Sequence, residues 1–159
     1  MSAEKIRVLM VCLGNICRSP SAEAMLRKQV REARLEHLVE VDSAGTADYH
    51  VDSPPDRRSI AHGERRGLAM KNLRGRQVSR ADFEHFDFIF AMDEDNLARL
   101  ERLRPAGARA KLGLLMDLAP QAGTRVVPDP YYGGAAEFER VLDLVDVACA
   151  AFIETLRQA

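Results

Sequence analysis

Residues 12 to 19 read Cys-Leu-Gly-Asn-Ile-Cys-Arg-Ser, a thiol and a guanidinium with five residues between them. A thiolate is a strong nucleophile, and a guanidinium is a planar fork that bonds two phosphate oxygens at once. If Leu13, Gly14, Asn15, Ile16 and Cys17 form a loop running into a helix N-terminus, their N–H groups make an anion cradle suited to a phosphate dianion. The same N–H groups and Arg18 favour a thiolate over a thiol at Cys12. Ser19 is placed to donate a hydroxyl hydrogen bond to that sulfur, and Gly14 is expected to supply a positive φ for the curved loop. This is neither a GxxxxGK[ST] nucleotide loop nor a GxGxxG dinucleotide loop.

A thiolate attacking phosphorus needs an acid to protonate the departing oxygen. The candidate is Asp129 in Val127-Pro128-Asp129-Pro130-Tyr131-Tyr132-Gly133-Gly134. The prolines stiffen the position of the carboxylate, and the two tyrosines supply walls for an aromatic ring. Without the first motif, the plainer reading is a turn aspartate beside surface tyrosines.

The elements that position these residues follow from periodicity. Lys5 to Cys12 is an apolar, β-branched run and predicts a buried strand. Ser19-Pro20 predicts a helix N-cap followed by proline at the first helical position, with the helix reaching about Ala33. Val39 to Ser43 alternates as a second strand. Asp56 to Gly67 reads as a polar helix with Gly67 as its stop, and Ser79 as the cap of a short helix to Phe86. Phe86 to Met92 predicts a third strand, and Asp93 caps a helix to about Arg104. Lys111 to Met116 predicts a fourth strand, Gln121 to Gly134 a loop, and Ala135 to Leu156 a long amphipathic helix. Strands alternating with helices imply one α/β domain over residues 1–159, with a parallel sheet covered on both faces.

Composition excludes other classes. Hydrophobic residues at 47% and charged residues at 30% fit a soluble globular chain. The net charge of −1 predicts no nucleic acid partner. No segment is long enough for membrane insertion, and no secretory core is visible, so a cytoplasmic protein is expected. Three cysteines argue against a disulfide framework and cannot make a four-cysteine zinc site. The middle is basic, with Arg57, Arg58, Arg65, Arg66, Lys71, Arg74, Arg76 and Arg80; a solvated face and a docking surface for an acidic partner are both open readings.

Four stretches, VCLGNICRSPSAEA at 11–24, DSAGT at 42–46, AMDEDNL at 91–97 and DPYYGG at 129–134, resemble the low-molecular-weight protein-tyrosine phosphatases, and the likeness runs along the whole chain. The resemblance implies a four-stranded parallel sheet with helices on both faces. It implies hydrolysis of phosphotyrosine in proteins and of small aryl phosphates, with no metal or cofactor. In that scheme Cys12 is the nucleophile, Arg18 the phosphate clamp, and Asp129 the acid and then the base. Leu13, Gly14, Asn15, Ile16, Cys17, Ser19, Tyr49, Tyr131 and Tyr132 are implied as substrate-binding residues. Asn15 is also implied to hold the loop's shape through bonds that include Ser43. A Cys12–Cys17 disulfide that shields the nucleophile is implied beside the plainer role of a small buried residue. By similarity Tyr131 and Tyr132 are phosphorylation sites. The implied partner is a tyrosine-phosphorylated protein; a tyrosine kinase partner, and a monomer or weak dimer, stay open. Many animal members place a histidine behind the loop where this chain aligns Asn72, which bonds but does not titrate near neutrality. Asp93 is read as a helix cap and Cys149 as core.

Rivals are distinguishable. A thiol-linked arsenate reductase on this fold needs resolving cysteines after the loop, and none lies between Cys17 and Cys149. A protein-arginine phosphatase would favour threonine at the position of Ile16. A binding or redox-sensing module has no use for the full Cys12, Arg18 and Asp129 set.

Overall fold

The computed structural model describes residues 4–158. Its elements run β1 (Ile6–Cys12), α1 (Arg18–Glu32), β2 (Val39–Gly45), α2 (Arg57–Arg65), α3 (Asp82–His85), β3 (Phe88–Ala91), α4 (Glu94–Leu103), β4 (Lys111–Leu114) and α5 (Ala135–Gln158). The four strands form one parallel sheet in the order β2-β1-β3-β4. The β-branched and apolar run of β1 explains its central place, since Val8 to Val11 are covered on both faces.

Alternation along β1 feeds two cores. Val8, Met10 and Cys12 point into the layer packed by α1 and α5, with Met25, Leu26, Val141, Val145 and Phe152. Leu9 and Val11 point to the opposite layer, where Phe83, Ile89, Leu100 and Leu114 meet. Phe83 is fully buried there. Phe83→Ala is therefore expected to cost about 3–5 kcal/mol in chemical denaturation; a loss of a few tenths would mean that the second layer is not a core.

Local chemistry sets the helix ends. Asp56 caps α2, its Oδ1 accepting from Arg58 N–H at 2.8 Å, and Gly67 follows in the left-handed region at φ 80°. Asp93 caps α4 through Asn96 N–H at 2.8 Å. Three boundaries differ from the sequence reading. Helix α1 starts at Arg18, with Cys17 rather than Ser19 at the cap. Pro20 is thus the third helical residue, where its missing donor still costs nothing. Ser79 does not cap α3 by its hydroxyl; its N–H instead donates to Asp82 Oδ2 at 2.8 Å. Strand β4 stops at Leu114, and residues 115–118 wind into a 3₁₀ turn. No helix among the described residues is long and apolar enough to cross a membrane.

Strand order reverses at β1, which has β2 on one side and β3 on the other. The loops leaving the carboxyl ends of β1 and β3 therefore flank a crevice, the usual ligand position in open parallel sheets.

Candidate active site

Segments from elsewhere in the fold turn the carbonyls of the 12–18 loop outward. Cys12 O accepts from Thr46 N–H at 2.9 Å, Leu13 O from Ala47 N–H at 3.0 Å, and Ile16 O from Asp56 N–H at 2.8 Å. Cys17 O accepts from Ser21 Oγ at 2.7 Å. With those carbonyls engaged, the N–H groups are left to the concave side. One of them, from Asn15, lies 3.3 Å from Cys12 Sγ, and Ser19 Oγ lies 3.1 Å from the same sulfur.

The positive φ in the loop belongs to Asn15, at 58°, and not to Gly14. Its side chain holds that conformation: Nδ2 donates to Ser19 Oγ at 2.8 Å and to Ser43 Oγ at 3.0 Å, while Oδ1 accepts from Arg76 N–H at 3.1 Å. Gly14 serves a different end. A Cβ there would sit 3.2 Å from Cδ2 of His50, so the glycine lets that ring close over the loop. Behind Asn15, Ser43 Oγ donates to Glu23 Oε1 at 2.6 Å, and Glu23 pairs with Arg27 at 2.7 Å. Burial raises the Glu23 pKa above the ordinary carboxylate range, against the pull of Arg27 and the Ser43 hydroxyl. Asn72, expected in this network, is exposed and outside it. The turn there sends Met70 inward instead, and Glu23 and Arg76 hold the places behind the loop.

Arg18 is buried and fixed. Its Nη1 donates to Asp93 Oδ2 at 2.6 Å and to Val127 O at 3.1 Å, and its Nη2 lies 3.8 Å from Asp129 Oδ2. Burial works against the guanidinium charge, but Cys12, Asp93 and Asp129 outweigh it and hold the Arg18 pKa above its ordinary value. Asp93 thus serves two ends, one oxygen on the α4 cap and the other on Arg18.

Asp129 sits on a loop tied down at Val127, whose N–H donates to Met92 O at 2.7 Å. Its Oδ1 accepts from Tyr131 N–H at 3.1 Å, and its side chain is about half exposed. Gly133 is close to obligatory, since a Cβ there would lie 2.7 Å from Glu137 Cγ.

A cleft of about 300 Å³ opens over the sulfur. Cys12, Arg18 and Asp129 line it with Leu13, Gly14, Ile16, Cys17, Tyr49, Tyr131 and Tyr132. Cys12 is 3% exposed at its base, whereas Tyr132 is 96% exposed at its rim. Asn15 and Ser19 do not line the cleft; they are buried behind it, bonded to one another beneath the sulfur. His50 lines it and was not signalled by any motif. Burial pushes the Cys17 thiol up to about 12, with a Ser59 hydrogen bond offsetting part of the effect. Cys149 is fully buried in the core. Among the described residues, no group of three or more His, Cys, Asp or Glu side chains is gathered as a metal site.

Such a site presents a sulfur, a fixed cation and a carboxylate to one small anion. The family model described as low molecular weight phosphotyrosine protein phosphatase matches residues 7–159. A low molecular weight phosphotyrosine protein phosphatase of Schizosaccharomyces pombe is 45% identical over 145 residues, covering 90% of this chain and 92% of the relative. The crystal structure of a protein tyrosine phosphatase from Entamoeba histolytica superposes with a TM-score of 0.92 at 40% identity, covering 97% of this chain and 98% of that one. That of a Drosophila arginine phosphatase superposes with a TM-score of 0.90 at 33% identity, covering 96% and 97%.

Proposed function

The chain belongs to the low molecular weight phosphotyrosine protein phosphatase family, and on that premise we propose that it hydrolyses phosphotyrosine in proteins through a phosphocysteine on Cys12. The observation that carries the proposal is the sulfur at the base of the cleft, 3.3 Å from the Asn15 amide nitrogen and 3.1 Å from Ser19 Oγ, with Arg18 and Asp129 on the same walls.

In the first step Cys12 Sγ forms a bond to phosphorus as the bond to the phenolic oxygen breaks. Asp129, as the carboxylic acid, gives its proton to that oxygen. Arg18 and the loop N–H groups hold the equatorial oxygens, where transition-state charge spreads. In the second step Asp129, now a carboxylate, takes a proton from water as the water oxygen attacks phosphorus and the S–P bond breaks. The Ser19 hydroxyl steadies the departing thiolate. Phosphate leaves with Cys12 restored.

Tyr49, Tyr131 and Tyr132 around the mouth favour a flat aromatic leaving group. Ile16 has no hydroxyl for a guanidinium, which argues against phosphoarginine despite the likeness to an arginine phosphatase. The same reading places the protein in the cytoplasm, where Cys12 stays reduced, and makes a tyrosine kinase its counterpart as the source of substrate.

Acid quenching during turnover of an aryl phosphate, followed by peptide mapping, tests the route. Phosphate is expected on the peptide holding Cys12; an adduct on any other residue sinks the mechanism. Phosphotyrosine and phosphoarginine peptides run side by side should separate in favour of the former. Asp129→Ala should slow aryl phosphate hydrolysis by roughly 10²–10⁴-fold, the usual worth of general acid catalysis. In kcat/KM, which reports the first step alone, that penalty should shrink as the leaving-group pKa falls. A penalty that ignores the leaving group would remove Asp129 from the role.

A further inference from the structure

Cys12 and Asp129 stand on segments more than a hundred residues apart, and their separation must be held to a fraction of an ångström for proton transfer to keep pace with attack. Arg18 gives one link, at 3.8 Å to Asp129. A second runs through the first turn of α2, outside the cleft lining. The Asp56 N–H donates to Ile16 O at 2.8 Å, which ties Asp56 to the nucleophile loop. Arg58 then meets Asp56 in a two-pronged pair, Nε to Oδ1 at 3.0 Å and Nη2 to Oδ2 at 3.0 Å, with its own N–H on Oδ1 as well. This fixes the plane of the guanidinium. Its central carbon lies 5.5 Å from the Tyr131 ring centroid and 4.6 Å from that of Phe138. Phe138 is buried at the start of α5, and Tyr131 N–H bonds the Asp129 carboxylate.

We propose that Arg58 is a positioning residue: a strut that sets the acid loop against the nucleophile loop by gripping Asp56 on one side and the Tyr131 and Phe138 rings on the other. The proposal rests on the acid role given to Asp129 above. Stacking of a planar cation on two rings while it bonds a carboxylate is a task for arginine, since a lysine ammonium has no plane to stack and no fork. The Phe138 ring also stacks with His62 at 5.7 Å between centroids, and His62 bonds Glu139, which Arg66 holds at 2.7 Å. Phe138 is also buried, so the strut bears on a fixed ring. Exposed ion pairs add little to stability. The expected signature is thus kinetic, with little change in melting temperature.

The test measures kcat and kcat/KM for aryl phosphates of graded leaving-group pKa in wild type, Arg58→Ala, Arg58→Lys, Asp129→Ala and the Arg58→Ala/Asp129→Ala pair, beside thermal unfolding of each. Arg58→Ala should lower kcat/KM, which reports the step that releases the phenolic oxygen, by about tenfold to a hundredfold for poor leaving groups, the scale of a misplaced catalytic group, and much less for good ones. Arg58→Lys should not restore it. In the Asp129→Ala background, removing Arg58 should add little, because its effect runs through the carboxylate. If Asp129→Ala keeps its leaving-group penalty while Arg58→Ala multiplies onto it in full, or acts equally on all leaving groups with a fallen melting temperature, the strut is overturned and the acid stands. If Asp129→Ala has no leaving-group penalty, the acid role falls and the strut with it.

Discussion

Cys12→Ser is expected to reduce aryl phosphate hydrolysis by about 10⁴–10⁶-fold, the scale of deleting a nucleophile from an otherwise intact site. The substitution exchanges sulfur for a smaller oxygen in a pocket that is already polar, bounded by the Asn15 N–H and the Ser19 hydroxyl. A hydroxyl is far harder to ionise than a thiol, so the donors that serve a thiolate do little for it. Arg18 and the loop N–H groups are untouched, and phosphate or a phosphotyrosine peptide should still bind. The measurement is therefore a pair: turnover falls to the background rate while phosphopeptide affinity and melting temperature stay near wild type. Turnover within tenfold of wild type would end the covalent mechanism. A collapse of binding and folding together would show that Cys12 was read as chemistry when it was core.

Arg18→Ala should cost roughly 10³–10⁵-fold in kcat/KM, the worth of an arginine aimed at a transferring phosphoryl group. Arg18→Lys should recover little of it. Lysine restores a positive charge but cannot bond Asp93 Oδ2, Val127 O and a phosphate from one rigid plane. Truncation also strips two acceptors of their donor, so a moderate loss of stability is expected with alanine and a smaller one with lysine. Kinetics and unfolding separate the two effects: the lysine variant should be well folded and still slow. Near-wild-type kinetics in that variant would reduce Arg18 to a charge with no directional role.

The architecture was legible because its signals are strong and local. β1 is apolar from Val8 to Cys12, and α5 carries its apolar stripe from Phe138 to Ile153; the sheet and its flanking helices followed, as the structural neighbours bear out. The cysteine loop and the Asp-Pro-Tyr-Tyr segment converge on one cleft from opposite ends of the chain. What periodicity could not show was the use of each small polar group. Ser19 was expected both to cap α1 and to face the sulfur; its hydroxyl does face the sulfur, but the cap falls two residues earlier, at Cys17. The strained φ went to Asn15 because three hydrogen bonds hold it, which no local pattern announces. Asn72 was placed by alignment alone and proved to be on the surface. Glu23, His50, Arg58 and Arg76 were missed in any site role, since each acts on partners distant in sequence.

The cysteine loop keeps its outward carbonyls on amides from after β2 and from before α2, and its inward amide geometry on an asparagine braced by β2. Only the Cys17 carbonyl and one bond of Asn15 are met from within the motif, by Ser21 and Ser19; the other braces are distant in sequence. A short peptide spanning the motif would carry every reactive atom and yet be inert. Catalytic competence is here a property of the native state as a cooperative whole, so turnover itself reports folding, and any lesion that frees β2 should silence the protein before its helical spectrum fades.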